Sequence, residues 1–181
     1  MASREDELAG SLGTIARVLF TAGTVEETLL RIVHAARDTI EGCDYAGLSL
    51  LEAGERVTSP AVTDSVVAEV DAAQYETGEG PYLEVITAGV DALYAEDLSE
   101  DTRWPAFGPR AVAAGLRSLL AFRLFADGTL GALSLYARLP RAYGVTDRAA
   151  GLIFATHAGI ALAAAQDRAQ EALGSSTWRR A

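Results

Sequence analysis

The chain has 181 residues, half of them apolar, with 15 basic and 25 acidic side chains and a formal charge of −10. That length suits one domain with a full core and no need of cross-links. A single cysteine excludes a disulfide framework and a cysteine-rich zinc site. No apolar run reaches the roughly 18 residues of a membrane span, and Met1 to Leu8 is acidic, unlike a signal peptide. A soluble, cytoplasmic protein is expected.

Charge is unevenly spread. Residues 1–90 hold 16 of the 25 acids and 5 arginines, and no basic residue falls between Arg56 and Arg103. Asp64, Glu69, Asp71, Glu76, Glu79, Glu84, Asp91, Glu96, Asp97, Glu100 and Asp101 all lie in that gap. Such a surface repels phosphate backbones, so nucleic acid is not a partner of this chain alone. A solvated acidic face is the plain reading.

In chain order, Leu8, Leu12, Ile15 and Leu19 recur with helical spacing and predict a first helix up to a break at Ala22-Gly23. Thr24, with Glu27 three residues on, predicts a capping box for a second helix with the stripe Leu29, Ile32, Val33, Ala36 and Ile40. Tyr45 to Glu52 and Arg56 to Ala61 read as strands around an Ala53-Gly54 turn. Asp64 caps a short helix through Val67, Val70 and Ala73. Gly78-Glu-Gly-Pro81 is a tight loop, with Pro81 opening a helix from Tyr82 to Ala88. Asp91 to Glu96 is a short strand, Asp97 to Arg103 a polar loop, and Trp104-Pro105 opens a helix that stops at Gly115. Ser118 to Phe125 and Thr129 to Ala137 form a hairpin about Ala126-Asp-Gly128. Thr146 is expected to cap a long last helix through Leu152, Ile153, Ile160 and Leu162. The order α-α-β-β-α-α-β-α-β-β-α implies an α+β domain. Its sheet is mostly antiparallel, with five to six strands and flanking helices, the terminal helices packed together on one face. The expected divisions are an N-terminal helix (1–23), a central domain (24–165), and a helix end with tail (166–181).

Catalytic constellations are thin. His34 and His157 lie on separate helices, and neither belongs to a metal-ligand motif. Cys43 is flanked by Glu41 and Asp44, whose charge opposes a thiolate. Ser11, Ser49 and Ser134 lack a nucleophile-elbow pattern, and Glu79 disqualifies the glycine loop as a phosphate cradle. No enzyme is expected. A pocket is the better prospect, because short helices from Asp64 to Gly115 cover the sheet. Tyr75, Tyr82, Trp104 and Phe107 offer walls, and Ser49, Ser134 and Tyr136 offer polar points on the floor. Arg117 and Arg123 are placed to hold a carboxylate. Ser134 and Tyr136 share one strand face, which is expected to point at the cover while Leu133 and Leu135 take the terminal helices. Without ligand, Arg117 is expected to pair with a carboxylate of the 91–101 segment.

Three stretches carry a family resemblance: Gly78-Glu-Gly-Pro-Tyr-Leu-Glu-Val; Asp97-Leu-Ser-Glu-Asp-Thr-Arg-Trp-Pro-Ala-Phe with Ala114-Gly-Leu-Arg-Ser-Leu-Leu-Ala-Phe-Arg-Leu; and Leu130-Gly-Ala-Leu-Ser-Leu-Tyr with the helix after it. Over about residues 10–170 the chain resembles a GAF domain, and more narrowly those preceding an ANTAR module in actinobacterial antitermination regulators. An arginine-only basic set with no lysine or asparagine suits such GC-rich genomes. The resemblance implies a ligand-sensing fold, dimeric through its terminal helices, with a bound small molecule of unknown identity, no defined cofactor and no activity of its own. A ligand-free dimerisation scaffold is the alternative. Tyr82 stands where the family's loop usually has cysteine, so redox sensing there is not implied. The tail after Gln166 is too short for an ANTAR module, and RNA binding is not carried over. Cyclic-nucleotide, bilin-attaching and sulfoxide-reducing members need an Asn-Lys signature or cysteines that this chain lacks.

Overall fold

The computed structural model describes residue 13 and residues 17–52 and 56–177. Leu8, Leu12, Ile15 and the Ala53-Gly54 turn lie outside the described residues. Five strands form one antiparallel sheet in the order β2-β1-β5-β4-β3. They are β1 (Tyr45–Leu51), β2 (Val57–Val62), β3 (Ala92–Ala95), β4 (Ser118–Phe125) and β5 (Thr129–Ala137). The helices are α1 (Val25–Thr39), α2 (Ser65–Thr77), α3 (Pro81–Thr87), α4 (Phe107–Ala113) and α5 (Val145–Thr177).

Local chemistry sets most boundaries. Thr24 and Glu27 form the reciprocal capping box, with Glu27 N donating to Thr24 Oγ1 at 3.1 Å and Thr24 N to Glu27 Oε2 at 2.9 Å. Asp64 caps α2 by accepting from Val66 N at 2.9 Å. The last helix differs from expectation. Thr146 is not its cap: Arg148 N already donates to Gly144 O, so Gly144 is the half-in residue, and the Asp147 carboxylate reaches back to Gly144 N at 2.8 Å. The helix expected from Trp104-Pro105 is regular from Phe107, and Gly108 N already donates to Trp104 O at 2.8 Å, so its first turn does open there.

The sheet separates two cores. On one face Ala46, Leu48, Leu120, Phe122, Leu124, Leu133 and Leu135 pack against the α1 stripe and against Phe154, Ala155, Ala158, Ala161 and Leu162 of α5. Leu19 is buried in the same core. On the other face Leu119, Ala121, Ala132 and Tyr136 meet Val67, Val70, Tyr82, Val85, Trp104 and Phe107 from α2, α3, α4 and their loops. Alternation along β5 serves both layers, since side chains of period two must point to opposite faces. Ser134 and Tyr136 face the α2–α4 cover. In α5 an apolar stretch within Val145–Gly174 meets the length and composition of a membrane span, contrary to the sequence expectation. Its inner stripe is buried on the sheet, as in a core helix.

Candidate functional site

Helix α2 presents Val67, Val70, Asp71 and Gln74 to the sheet at the three- and four-residue spacing of one helical face. Two of these four are polar and almost wholly buried, Asp71 at 2 % exposure and Gln74 at 0 %. The approach is close because β1 carries Gly47 beneath them. A Cβ there would drive into Val67 and come within 3.2 Å of Asp71 Oδ2.

Asp71 is the centre of a hydrogen-bonded group. Tyr136 Oη donates to its Oδ1 and Ser59 Oγ donates to Oδ2 at 3.0 Å. Ser49 Oγ lies 3.2 Å from Ser59 Oγ. Ser59 has one hydroxyl proton and gives it to Asp71, so Ser49 must be the donor in that second bond. Gln74 Nε2 donates to Tyr136 Oη at 3.1 Å, and Gln74 Oε1 accepts from Tyr82 N at 3.1 Å. Tyr82 Oη donates to the Asp71 carbonyl at 3.3 Å. Every proton along the hydroxyl chain therefore points toward the carboxylate. Burial pushes the Asp71 carboxyl up to about 6, against the opposing pull of the Tyr136, Ser59 and Ser49 hydroxyls. Tyr136 is raised well above its ordinary value by burial and by Asp71 beside it. Ser134 Oγ is buried on the same face and has no hydrogen-bond partner.

The cover is latched to itself by carboxylates. Glu79 Oε2 accepts from Ala106 N at 2.8 Å and Phe107 N at 3.3 Å, serving the free N–H groups that open α4. Glu84 accepts from Trp104 Nε1 at 3.1 Å, and Glu76 pairs with Arg110 at 2.6 Å. Arg103 stacks over Trp104 at 4.2 Å and chelates Asp101. Glu79 of the glycine loop and Glu84 beyond it thus bind the segment that begins Arg103-Trp-Pro.

Of the residues singled out from sequence, Ser49, Tyr82, Ser134 and Tyr136 converge on the Asp71 group. Trp104 and Phe107 are buried within the cover layer. Tyr75 does not join them. It follows Gln74 by one residue, so the helix turns it about 100° away, and it is 61 % exposed. Sequence reasoning missed Asp71, Gln74, Glu79 and Glu84, treating the carboxylates as a solvated face. The available signal was the placement of Asp71 and Gln74 on the same helical stripe as Val67 and Val70.

Arg117 lies just before β4 and forms a two-pronged pair with Asp97, Nε to Oδ1 at 2.9 Å and Nη2 to Oδ2 at 2.6 Å. Ser99 Oγ also donates to Asp97 Oδ1 at 2.7 Å. The Arg117 guanidinium, with Ser99, holds the Asp97 carboxyl well below the usual range. Arg123 pairs with Asp91 at 2.6 Å. Removing the Arg117 side chain leaves the bonds from Leu98 N to Arg117 O and from Arg117 N to Ala137 O in place. Arg117→Ala is therefore expected to speed amide exchange across residues 91–107 more than it lowers global stability. Unchanged protection there would count against a pinning role.

Cys43 is partly buried, with its thiol pushed up to about 12 by burial, which leaves it a thiol at neutral pH. His157 bonds to Ile153 O at 2.8 Å. No metal-ligand group of three or more occurs among the described residues. Clefts of about 440 Å³ between α2 and α4 and about 600 Å³ beside Gly23 and the end of α5 lie on the outside, and Asp71 lines neither.

The GAF-domain family profile matches residues 22–163. The chain belongs to the GAF domain family. Similar folds include the GAF domain of a phosphoenolpyruvate-protein phosphotransferase from Coxiella burnetii, at 15 % identity and TM-score 0.70, covering 93 % of this chain and 99 % of that one. The corresponding Acinetobacter domain has 14 % identity and TM-score 0.69, with coverages of 94 % and 99 %. The chromophore-binding domain of a bacteriophytochrome from R. palustris has 14 % identity and TM-score 0.67 over 93 % of this chain. The GAF domain described here spans 64 % of that phytochrome fragment and 39 % of a longer chain of the same protein. No curated protein matches the sequence.

Proposed function

We propose that this GAF domain is the non-catalytic, small-molecule-sensing part of a bacterial signalling or transcription regulator. Its narrower resemblance is to the cytoplasmic antitermination regulators that pair a GAF domain with an ANTAR module. The observation that carries the reading is the Asp71 group. A buried carboxylate, amide and hydroxyls sit between sheet and cover, where apolar side chains would close the core at lower cost. Ligand would enter there among Ser49, Tyr82, Ser134 and Tyr136, with Trp104 and Phe107 in the surrounding cover and Arg117 at its rim. Strand β5 joins the site to the opposite layer, since Ser134 and Tyr136 alternate with Leu133 and Leu135 beneath the terminal helices. A ligand with unequal affinity for two arrangements of the cover would shift the packing of α1 and α5. Leu152 and Ile160 are exposed eight residues apart along α5, which supports a homodimer through the terminal helices.

A second reading, a ligand-free dimerisation scaffold, is favoured by Tyr82 and Trp104, whose buried rings occupy the layer themselves. Native mass spectrometry of protein purified from its own host separates the two. The sensor reading expects a dimer carrying an added small-molecule mass. A bare dimer would instead support the scaffold, and a bare monomer would exclude both.

A further inference from the structure

We infer that the ligand of this site is a small organic cation bearing a primary ammonium group, seated on the Asp71 carboxylate. The inference rests on the sensor reading above and adds the chemical class of the ligand.

The first support is a charge without a partner of opposite sign. Asp71 is 2 % exposed, and its side chain is held by neutral hydroxyls, those of Tyr136 and Ser59 with Ser49 beside them. A carboxylate offers about four lone-pair sites, so these hydroxyls do not exhaust it. The arginines around the cover are engaged with other acids: Arg103 with Asp101, Arg110 with Glu76, Arg117 with Asp97 and Arg123 with Asp91. None of these ion pairs includes Asp71.

The second support is independent and lies on the sheet. Ser134 Oγ is buried without a hydrogen-bond partner, a costly state for a hydroxyl. Ser134 is in register with Gly47, the residue over which the Asp71 carboxylate lies. The spare hydroxyl and the unneutralised carboxylate therefore face the same layer from adjoining strand positions. Ser49 gives its proton to Ser59, which leaves its lone pairs free on that face. An ammonium group has three N–H donors and no acceptor, and the site supplies acceptors at Asp71, Ser134 and Ser49.

Third, the surroundings select against anions. Glu69, Glu76, Glu79 and Glu84 stand on the cover, within a stretch that has no basic residue from Arg56 to Arg103. Such a field raises the local concentration of cations. An acidic ligand would instead meet a buried carboxylate, with the Arg117 fork already closed on Asp97.

The test is thermal unfolding of the whole chain at pH 7.5 with matched probes at about 10 mM. Isobutylamine, phenethylamine and agmatine form one series; isobutyrate, phenylacetate and 4-guanidinobutyrate form the other. At least one amine is expected to raise the midpoint by about 3 °C or more, with no shift from its carboxylate counterpart. Asp71→Asn should abolish the amine shift. Ser134→Ala, a smaller change that keeps the carboxylate, should weaken amine binding at least fivefold. A shift from the carboxylates, or an amine shift that survives Asp71→Asn or is unweakened in Ser134→Ala, overturns the cationic class while leaving a ligand-binding domain. Failure of both series to shift the wild type also overturns it. The sensor reading then stands or falls separately on the mass spectrum of host-purified protein.

Discussion

Tyr136→Phe is expected to lower stability by about 1.5–3 kcal/mol at pH 7.5 and by only about 1 kcal/mol at pH 4.5. The hydroxyl it removes donates to Asp71 and accepts from Gln74, so two buried groups lose a partner at once. The pH dependence follows from the direction of the Asp71 shift. Burial raises that carboxyl from 3.8 to about 6 in the folded state. The native protein therefore binds more protons than the unfolded chain between about pH 4 and 6, and stability rises as pH falls through that window. Above it the charged carboxylate costs about 3 kcal/mol relative to the protonated form. The Tyr136 hydroxyl relieves part of that cost by hydrogen-bonding the charged form. Without it the folded carboxyl moves further up, and the variant loses most where wild-type Asp71 is ionised. Urea unfolding of both proteins at the two pH values measures this. Equal losses at both would show that Asp71 is already protonated at pH 7.5.

The layered α+β architecture was legible because its signals are local. Thr24 with Glu27, Asp64 before Val67, and Ala126-Asp-Gly128 between two apolar runs each act within a few residues. The elements they delimit lie where expected. The alternation of Leu133 and Leu135 with Ser134 and Tyr136 also told which face of β5 meets which layer. The candidate site was legible only in part, and the reason is range. Asp71 is one acid among eleven between Arg56 and Arg103. What makes it different from Glu69 or Glu76 is a tyrosine 65 residues away and a serine 12 residues away. Glu79 is read as a loop acid until α4 brings its N–H groups across 27 residues. Local patterns can mark Gln74 as facing inward, but its partners are set by tertiary contacts. Tyr75 shows the converse. An aromatic residue in a covering helix suggests a pocket wall, yet one position of helical rotation places it in solvent.

Gly80→Ala should cost about 3–5 kcal/mol, whereas Gly78→Ala, two residues earlier, should cost about 1–2 kcal/mol. Both glycines have positive φ, +68° at Gly78 and +138° at Gly80. Gly78 ends α2 in the left-handed region, and a Cβ there would meet nothing within 4 Å. Its replacement bears the conformational cost alone. Gly80 adopts a backbone conformation, φ +138° and ψ 160°, that side chains rarely tolerate. A Cβ at Gly80 would also overlap the side chain of Gln74. Gln74 cannot swing aside cheaply, because its amide is held at both ends, by Tyr82 N and by Tyr136 Oη. Displacing it breaks the bond that ties the start of α3 to α2 and the bond that reaches Asp71 through Tyr136. Removing the obstacle provides the control. In Gln74→Ala the overlap is gone, so adding Gly80→Ala to that background should cost only the strain of the backbone, well below its cost in the wild type. Urea midpoints for the three single variants and the double variant measure the coupling. Equal costs at Gly78 and Gly80, or strict additivity of Gln74→Ala with Gly80→Ala, would mean that the amide does not rest on Gly80 and that the glycine loop does not set the position of the buried group.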